Sequence, residues 1–336
     1  MVLHVNTSEA GYDIILERGS LERVSEYFNL NRKVLIITDS GVPMEYALTV
    51  QRQCKEAYIH VLDAGEQSKS IDNYIKALQV LVDMGMTRTD CVVAVGGGVV
   101  GDFSGFVAST YMRGIDFYNI PTTFLSQVDS SIGGKVAIDF MGVKNIVGAF
   151  YQPKGVLIDS NTLKTLDKRQ LHAGLCESIK MSATSNKELF ELIENSTSID
   201  NDLDEIIEKS LIIKRDVVEK DPKEKGLRRV LNFGHTIGHG IESKYGLKGY
   251  LHGECVGMGM LPMCESSVKQ RIKALLNKYQ IPTDIDLANE DIMDYIKKDK
   301  KASGNQITIV YVEKIGTFEL KKIEIEEIQK YIKRGL

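Results

Sequence analysis

Cys91-Val92-Val93-Ala94-Val95, followed at once by Gly96-Gly97-Gly98-Val99-Val100-Gly101-Asp102, is the stretch on which the fold turns. An unbroken apolar run rich in valine reads as a strand buried on both faces. The glycines then satisfy G-x-G-x-x-G, and Phe103–Tyr111 reads as the helix that follows. A strand passing through a glycine turn into a helix presents bare backbone N–H groups at a helix N-terminus, which suits a pyrophosphate. Triple glycine also makes simple tight turns, so the turn alone does not decide for a nucleotide. It follows a later strand rather than the first, and no acidic residue closes a strand about twenty positions on, as an ordinary Rossmann unit would require. Asp39, at the end of the earlier run Val34–Thr38, is the better candidate for ribose hydroxyls.

Outward from this turn, Val34–Thr38 and Phe117–Ile120 are further buried-strand patterns, and Ile71, Ile75, Leu78 and Val82 recur at helical spacing. Met1–Val5 and Tyr12–Leu16 pair as a hairpin across Ser8–Gly11. Strand, helix and strand in this order argue a largely parallel sheet with helices on its faces. From Thr162 the character changes: Asp202–Val218 carries apolar residues at helical spacing, and strand signals return only at Ile307–Val312. The expected fold is an α/β N-terminal dinucleotide-binding domain over 1–160 and a mainly α-helical C-terminal domain over 161–336.

The 336 residues suit two cores, and 43% hydrophobic with 26% charged residues is ordinary for a globular chain. A net charge of −4 gives no electrostatic reason to expect nucleic acid or an anionic membrane as partner. Five scattered cysteines without a C-x-x-C pair read as reduced, which points to the cytoplasm. The N-terminus lacks a signal-peptide pattern, and no uncharged apolar run approaches the ~20 residues a membrane span needs.

Of six histidines, His235, His239 and His252 fall within Asn232–Glu254. His235 and His239 are at i and i+4, so they share a face if HTIGH is helical. A metalloprotease would need Glu directly after the first histidine, and Thr236 stands there instead. Three histidines beside Glu242 and Glu254 suggest a metal or catalytic centre with an oxygen ligand from elsewhere, which spacing cannot name. Lys214, Arg215, Lys220, Lys223, Lys225, Arg228 and Arg229 precede this motif. Most read as a solvated face, but a helical segment would aim Arg228, Asn232 and His235 at one spot, where a phosphorylated or carboxylated ligand needs donors. Val128–Lys135 reads as a tight polar loop bearing one lysine. Ala64–Lys69 supplies polar groups or simply caps the next helix.

These segments together resemble the 3-dehydroquinate synthases. The matching blocks are GGGVVGDFSGFVASTYMRG (Gly96–Gly114), PTTFLSQVDSSIGGKVAID (Pro121–Asp139), KNIVGAFYQP (Lys144–Pro153), GLCESIKM (Gly174–Met181), GLRRVLNFGHTIGHGIE (Gly226–Glu242) and LHGE (Leu251–Glu254). The resemblance implies Glu177, His235 and His252 as ligands of a zinc or cobalt ion. It implies NAD contacts from Asp39, Ala64, Gly65, Glu66, Lys69, Gly98, Val99, Val100, Gly101, Asp102, Thr122, Thr123, Thr162, Leu163, Lys164 and Thr165, with Lys135 and Lys144 nearby. Substrate and catalytic roles fall on Arg113, Asp129, Lys135, Asn145, Lys180, Lys214, Arg228, Asn232 and His239, and on either Lys300 or Lys301. Ala64 departs from the family, many of whose members carry Asp there. The implied substrate is a small sugar-acid phosphate, 3-deoxy-arabino-heptulosonate 7-phosphate, and the implied assembly a homodimer. The rival readings are another sugar-phosphate cyclase, a metal-dependent polyol dehydrogenase of the same build, and a non-catalytic NAD-binding sensor. A sensor needs no such set of lysines, metal ligands and anion donors.

Overall fold

The computed structural model describes residues 1–7, 11–246, 249–283, 289–300 and 305–335. The chain divides into two compact units, Met1–Leu166 and Asp167–Leu336. The sequence reading ends the first domain at residue 160. The 3-10 turn Ser160–Thr165 stays with the first unit, where Gln127 Nε2 donates to Thr162 Oγ1 and Tyr46 pairs with Thr165.

The first unit contains β1 (Val2–Val5), β2 (Tyr12–Leu16), β3 (Lys33–Asp39), β4 (Glu56–Leu62), β5 (Cys91–Gly96), β6 (Asp116–Pro121) and β9 (Gly155–Ile158) in one sheet. Their order is β1-β2-β9-β6-β5-β3-β4, parallel except for the β1–β2 hairpin. β7 (Lys135–Phe140) and β8 (Val143–Phe150) form a separate antiparallel hairpin. Helices α1 (Val24–Tyr27), α2 (Met44–Gln51), α3 (Ile71–Asp83) and α4 (Gly98–Thr110) accompany the sheet.

Two-sided burial explains the valine-rich strands. Leu35, Ile37, Val92 and Ala94 join a core with Leu81 of α3 and Phe103 and Val107 of α4. Val34, Ile36, Val93 and Val95 alternate with them into a second core containing Val24, Ala47, Val50 and Leu157. Each buried valine, leucine, isoleucine or phenylalanine among them contributes about 1.5–3 kcal/mol, so a charge at one of these positions would break the sheet. The edge strand β4 escapes the sequence reading because it is half exposed: Tyr58 and Val61 face outward.

Within the sheet, the chain runs from β3 to β4 on one side and then returns to β5 on the other side of β3. That reversal is a topological switch point, and open α/β sheets bind ligands beyond the carboxyl ends of the strands there. The glycine turn leaves β5 at this point. The sequence reading starts its helix after Asp102, whereas α4 begins at Gly98, so Gly98, Val99 and Val100 form the helix's first turn.

The second unit is helical as expected: α5 (Lys168–Ser185), α6 (Lys187–Asn195), α7 (Ile199–Lys220), α8 (His235–Tyr245), α9 (His252–Met260), α10 (Ser266–Lys278), α11 (Asn289–Lys300) and α12 (Ile328–Gly335). One hairpin, β10 (Gln306–Tyr311) with β11 (Glu319–Glu324), accompanies them. Asp167 caps α5 by accepting from the backbone N–H groups of Arg169 and Gln170. Among the described residues no helix is long and apolar enough to cross a membrane.

Candidate active site

In the second unit, three helices each present one candidate ligand. Glu177 lies in the middle of α5 and is fully buried; His235 and His252 are the first residues of α8 and α9. His235 Nε2 is 3.7 Å and His252 Nε2 3.8 Å from Glu177 Oε1. One ligand atom from each of the three lies within 4.8 Å of the others. Glycines make this approach possible. A Cβ on Gly253 would stand 1.8 Å from the carbonyl oxygen of Ala173 in α5, and one on Gly259 would stand 2.1 Å from the carbonyl oxygen of Gly234.

Neither Glu177 oxygen accepts a hydrogen bond, although both are buried. Lys180, one turn along α5 and equally buried, touches one of them as an ion pair without hydrogen-bond geometry. A fully buried carboxylate facing two imidazole nitrogens is a donor set that fits zinc or cobalt. Burial holds the His235 imidazole well below its ordinary pKa, helped by the charges of Lys180, His252 and His239. A neutral ring is what a metal ligand must be. Burial also works against a charged His252, but the hydrogen bond to Glu242 and the charge of Glu177 outweigh it and raise its pKa. His239, Glu242 and His252 form a second, overlapping group of possible ligands. As the i, i+4 spacing requires, the rings of His235 and His239 lie side by side, with centroids 5.3 Å apart.

The α-helical condition for aligning Arg228, Asn232 and His235 is not met. Leu227–Asn232 is a 3-10 turn, Gly234 breaks it with φ 79°, and α8 starts afresh at His235. Four-residue spacing therefore does not align these side chains. Arg228 is buried and donates to the Pro222 carbonyl; Asn232 is exposed and donates to Glu224 Oε1 at 2.8 Å. The Asp221 carboxylate gathers the N–H groups of Lys225, Gly226 and Arg228, which shapes this loop. Glu224, with a left-handed φ of 56°, is thus brought onto Asn232. Lys180 and Lys214 are buried. Lys301 lies outside the described residues, and Lys300 is described only as the last backbone residue of α11.

In the first unit, Asp39 closes β3, and its carboxylate accepts the Gly41 N–H; burial raises its pKa. Ser40 Oγ accepts the N–H of Ala64, which ties the two loops together. Lys69 is almost fully buried and donates to Asp102 Oδ2 at 2.8 Å and to Asn145, with Glu66 at 3.4 Å. Burial pushes the Asp102 carboxyl up to about 6 despite the Lys69 ammonium. Thr122 N–H donates to the Gly96 carbonyl, and Thr123 Oγ1 accepts from Ser126 N–H to start a short π-helix, Ser126–Ser130, that carries Asp129. Lys135 is the first residue of β7, not a loop residue, and lines one small cavity with Gly101, Asp102 and Ser130. Thr162, Leu163, Lys164 and Thr165 occupy the 3-10 turn after β9. Lys144, Asn145 and Arg113 are exposed, and the last two adopt positive φ, 54° and 70°.

Two family descriptions match the chain: 3-dehydroquinate synthase N-terminal over residues 59–173 and 3-dehydroquinate synthase C-terminal over 174–302. The 3-dehydroquinate synthase of Clostridium acetobutylicum is 39% identical, covering 98% of this chain and 99% of its own length. That of Streptococcus mutans serotype c is 41% identical over 99% of this chain and 100% of its own. The chain belongs to the 3-dehydroquinate synthase family. It is an enzyme of the cyclase type found in that family. A solved 2-deoxy-scyllo-inosose synthase, complexed with carbaglucose-6-phosphate, NAD+ and Co2+, superposes over 100% of both chains with a TM-score of 0.89 at 26% identity. The two-domain cyclase fold expected from the sequence is thereby borne out.

Proposed function

We propose that this chain is an NAD- and metal-dependent 3-dehydroquinate synthase, a carbon–oxygen lyase. It converts 3-deoxy-arabino-heptulosonate 7-phosphate to 3-dehydroquinate and phosphate. The observation that carries the reading is the buried, hydrogen-bond-free Glu177 carboxylate facing two imidazole Nε2 atoms, in a chain about 40% identical to such synthases. The lower identity to the scyllo-inosose enzyme, 26%, favours the dehydroquinate branch over another cyclase.

Glu177, His235 and His252 hold the divalent ion, zinc or cobalt. The first turn of α4 and Asp39 hold the dinucleotide, by backbone N–H groups and by a carboxylate suited to ribose hydroxyls. When bound, the ion supplies Lewis acidity toward the substrate's hydroxyls, and NAD supplies a hydride acceptor that is regenerated within the cycle. Arg228, Asn232 and Lys214 pair with the anionic and polar groups of the substrate. Lys135 and Arg113 neutralise the departing phosphate, which itself takes up the proton in the β-elimination. His239, one turn from His235 on α8, moves a proton at the substrate hydroxyl through its ring nitrogen. Asp129, Asn145 and Lys180 orient the substrate, and Glu66, Lys69, Thr122, Thr123, Lys144 and Thr162–Thr165 complete the nucleotide site. A cytoplasmic homodimer is the expected state, and five free thiols agree with a reducing compartment.

The test follows phosphate and NADH together, using purified protein, the heptulosonate phosphate, NAD and Zn2+ or Co2+. Phosphate should appear with a carbocyclic product and no net NADH. Steady NADH accumulation would point to a dehydrogenase and contradict the proposal.

A further inference from the structure

The two candidate histidine ligands are held from behind by different partners. His235 Nδ1 lies 3.3 Å from the backbone carbonyl of Phe233, a neutral acceptor two residues away on its own chain segment. His252 Nδ1 lies 2.9 Å from Glu242 Oε2, a carboxylate carried on a different helix, α8. Glu242 is mostly buried, with 17% of its side chain exposed, so water competes little for that bond.

His252 needs such a support more than His235 does. It opens α9, its side chain is one-third exposed, and its helix fixes the Cα but not the ring. Rotated about its Cβ–Cγ bond, the ring would turn Nδ1 away from Glu242 and swing Nε2 off Glu177. With Nδ1–H donating to Glu242, the lone pair sits on Nε2, the atom that faces Glu177.

We propose that Glu242 is a positioning residue for the ion, fixing His252 in the ring orientation and tautomer that present Nε2 as a ligand. The inference rests on the reading of Glu177, His235 and His252 as the ligand set. It also chooses between the two overlapping groups, since Glu242 acts behind His252 and not on the ion. A carboxylate in this position strengthens the imidazole as a donor, and its loss typically costs about 10–100-fold in metal affinity.

The experiment titrates metal-free, full-length protein with Zn2+ against a chromophoric chelator and records the visible spectrum of the Co2+ form. Glu242→Ala should weaken Zn2+ binding by about 10–100-fold and alter the Co2+ spectrum. Glu242→Gln, which keeps an acceptor but not the charge, should fall between it and wild type. Glu177→Ala should lose the ion, and His239→Ala should retain it. A purely structural role for Glu242 would lower the unfolding midpoint of the metal-free protein and leave Zn2+ affinity near wild type, which would overturn the proposal. Loss of the ion in His239→Ala with retention in Glu177→Ala would overturn it as well, by making Glu242 a ligand. If wild type bound no stoichiometric ion, the ligand-set reading itself would fall, and this inference with it.

Discussion

Gly98, Val99 and Val100 offer main-chain N–H groups at the start of α4, whereas Glu177, His235 and His252 offer side-chain atoms from three separate helices. The first arrangement is set by one strand, one turn and the direction of a helix. The second needs α5, α8 and α9 to pack closely enough for three side chains to converge. A site built from backbone survives changes of neighbouring side chains. A site built from side chains fails when one ligand, or one glycine beneath it, is changed.

That difference can be broken at its strongest point first. Glu177→Ala should remove the bound ion and slow phosphate release by about 10³-fold, the loss of several kcal/mol of Lewis-acid stabilisation. Metal analysis of the purified variant beside steady-state kinetics checks this, and retention of both ion and rate would contradict the cage. Gly253→Ala touches no ligand, yet its Cβ would strike the Ala173 carbonyl. It should destabilise the protein by about 1–3 kcal/mol and weaken Zn2+ binding as His252 shifts, as read by denaturant melts and chelator competition.

On the backbone-built side the effects should be smaller. Lys69 bridges Asp102 and Asn145, and burial raises the Asp102 carboxyl to about 6. The folded chain therefore holds that proton more tightly than the unfolded chain. The resulting stability is full below about pH 4 and is lost as pH rises to about 6. Because 23% of the Asp102 side chain is exposed, the loss should be roughly 1–2 kcal/mol. Asp102→Asn abolishes this titration, so its unfolding midpoint relative to wild type should rise between about pH 4 and pH 7. A constant difference would show that Asp102 titrates normally. Ala64→Asp should have the smallest effect, tightening NAD binding by about threefold, because a solvent-exposed hydrogen bond contributes under ~1 kcal/mol. A tenfold or larger change in NAD affinity by fluorescence titration would mean that side chains dominate this site too.

The same contrast explains what the sequence could disclose. The β5–glycine–α4 unit was legible because strand, turn and helix are contiguous, although the helix starts inside the glycine run. The histidines stood out by their clustering. Glu177 lies far from them in sequence and on another helix, so only the family blocks named it. Arg228 and Asn232 do not share a helical face because Leu227–Asn232 is a 3-10 turn, and Gly234, in a left-handed conformation, sets His235 apart from both at the start of α8. Glu242 stands out in the sequence only by its nearness to the histidines, and Glu224 gives no signal of its role. Their significance comes from hydrogen bonds to Asn232 and His252 that no periodicity predicts. The β7–β8 hairpin was equally hidden, since its second strand is largely exposed and lacks a buried run.

The proposed metal centre requires Glu177, His235 and His252 to share one ion. Anomalous diffraction at the zinc edge from crystals of the zinc-loaded protein tests it most directly. A single peak is expected about 2.0–2.2 Å from both Nε2 atoms and one Glu177 oxygen. A peak centred on His239, Glu242 and His252, or no peak in this unit, would contradict it.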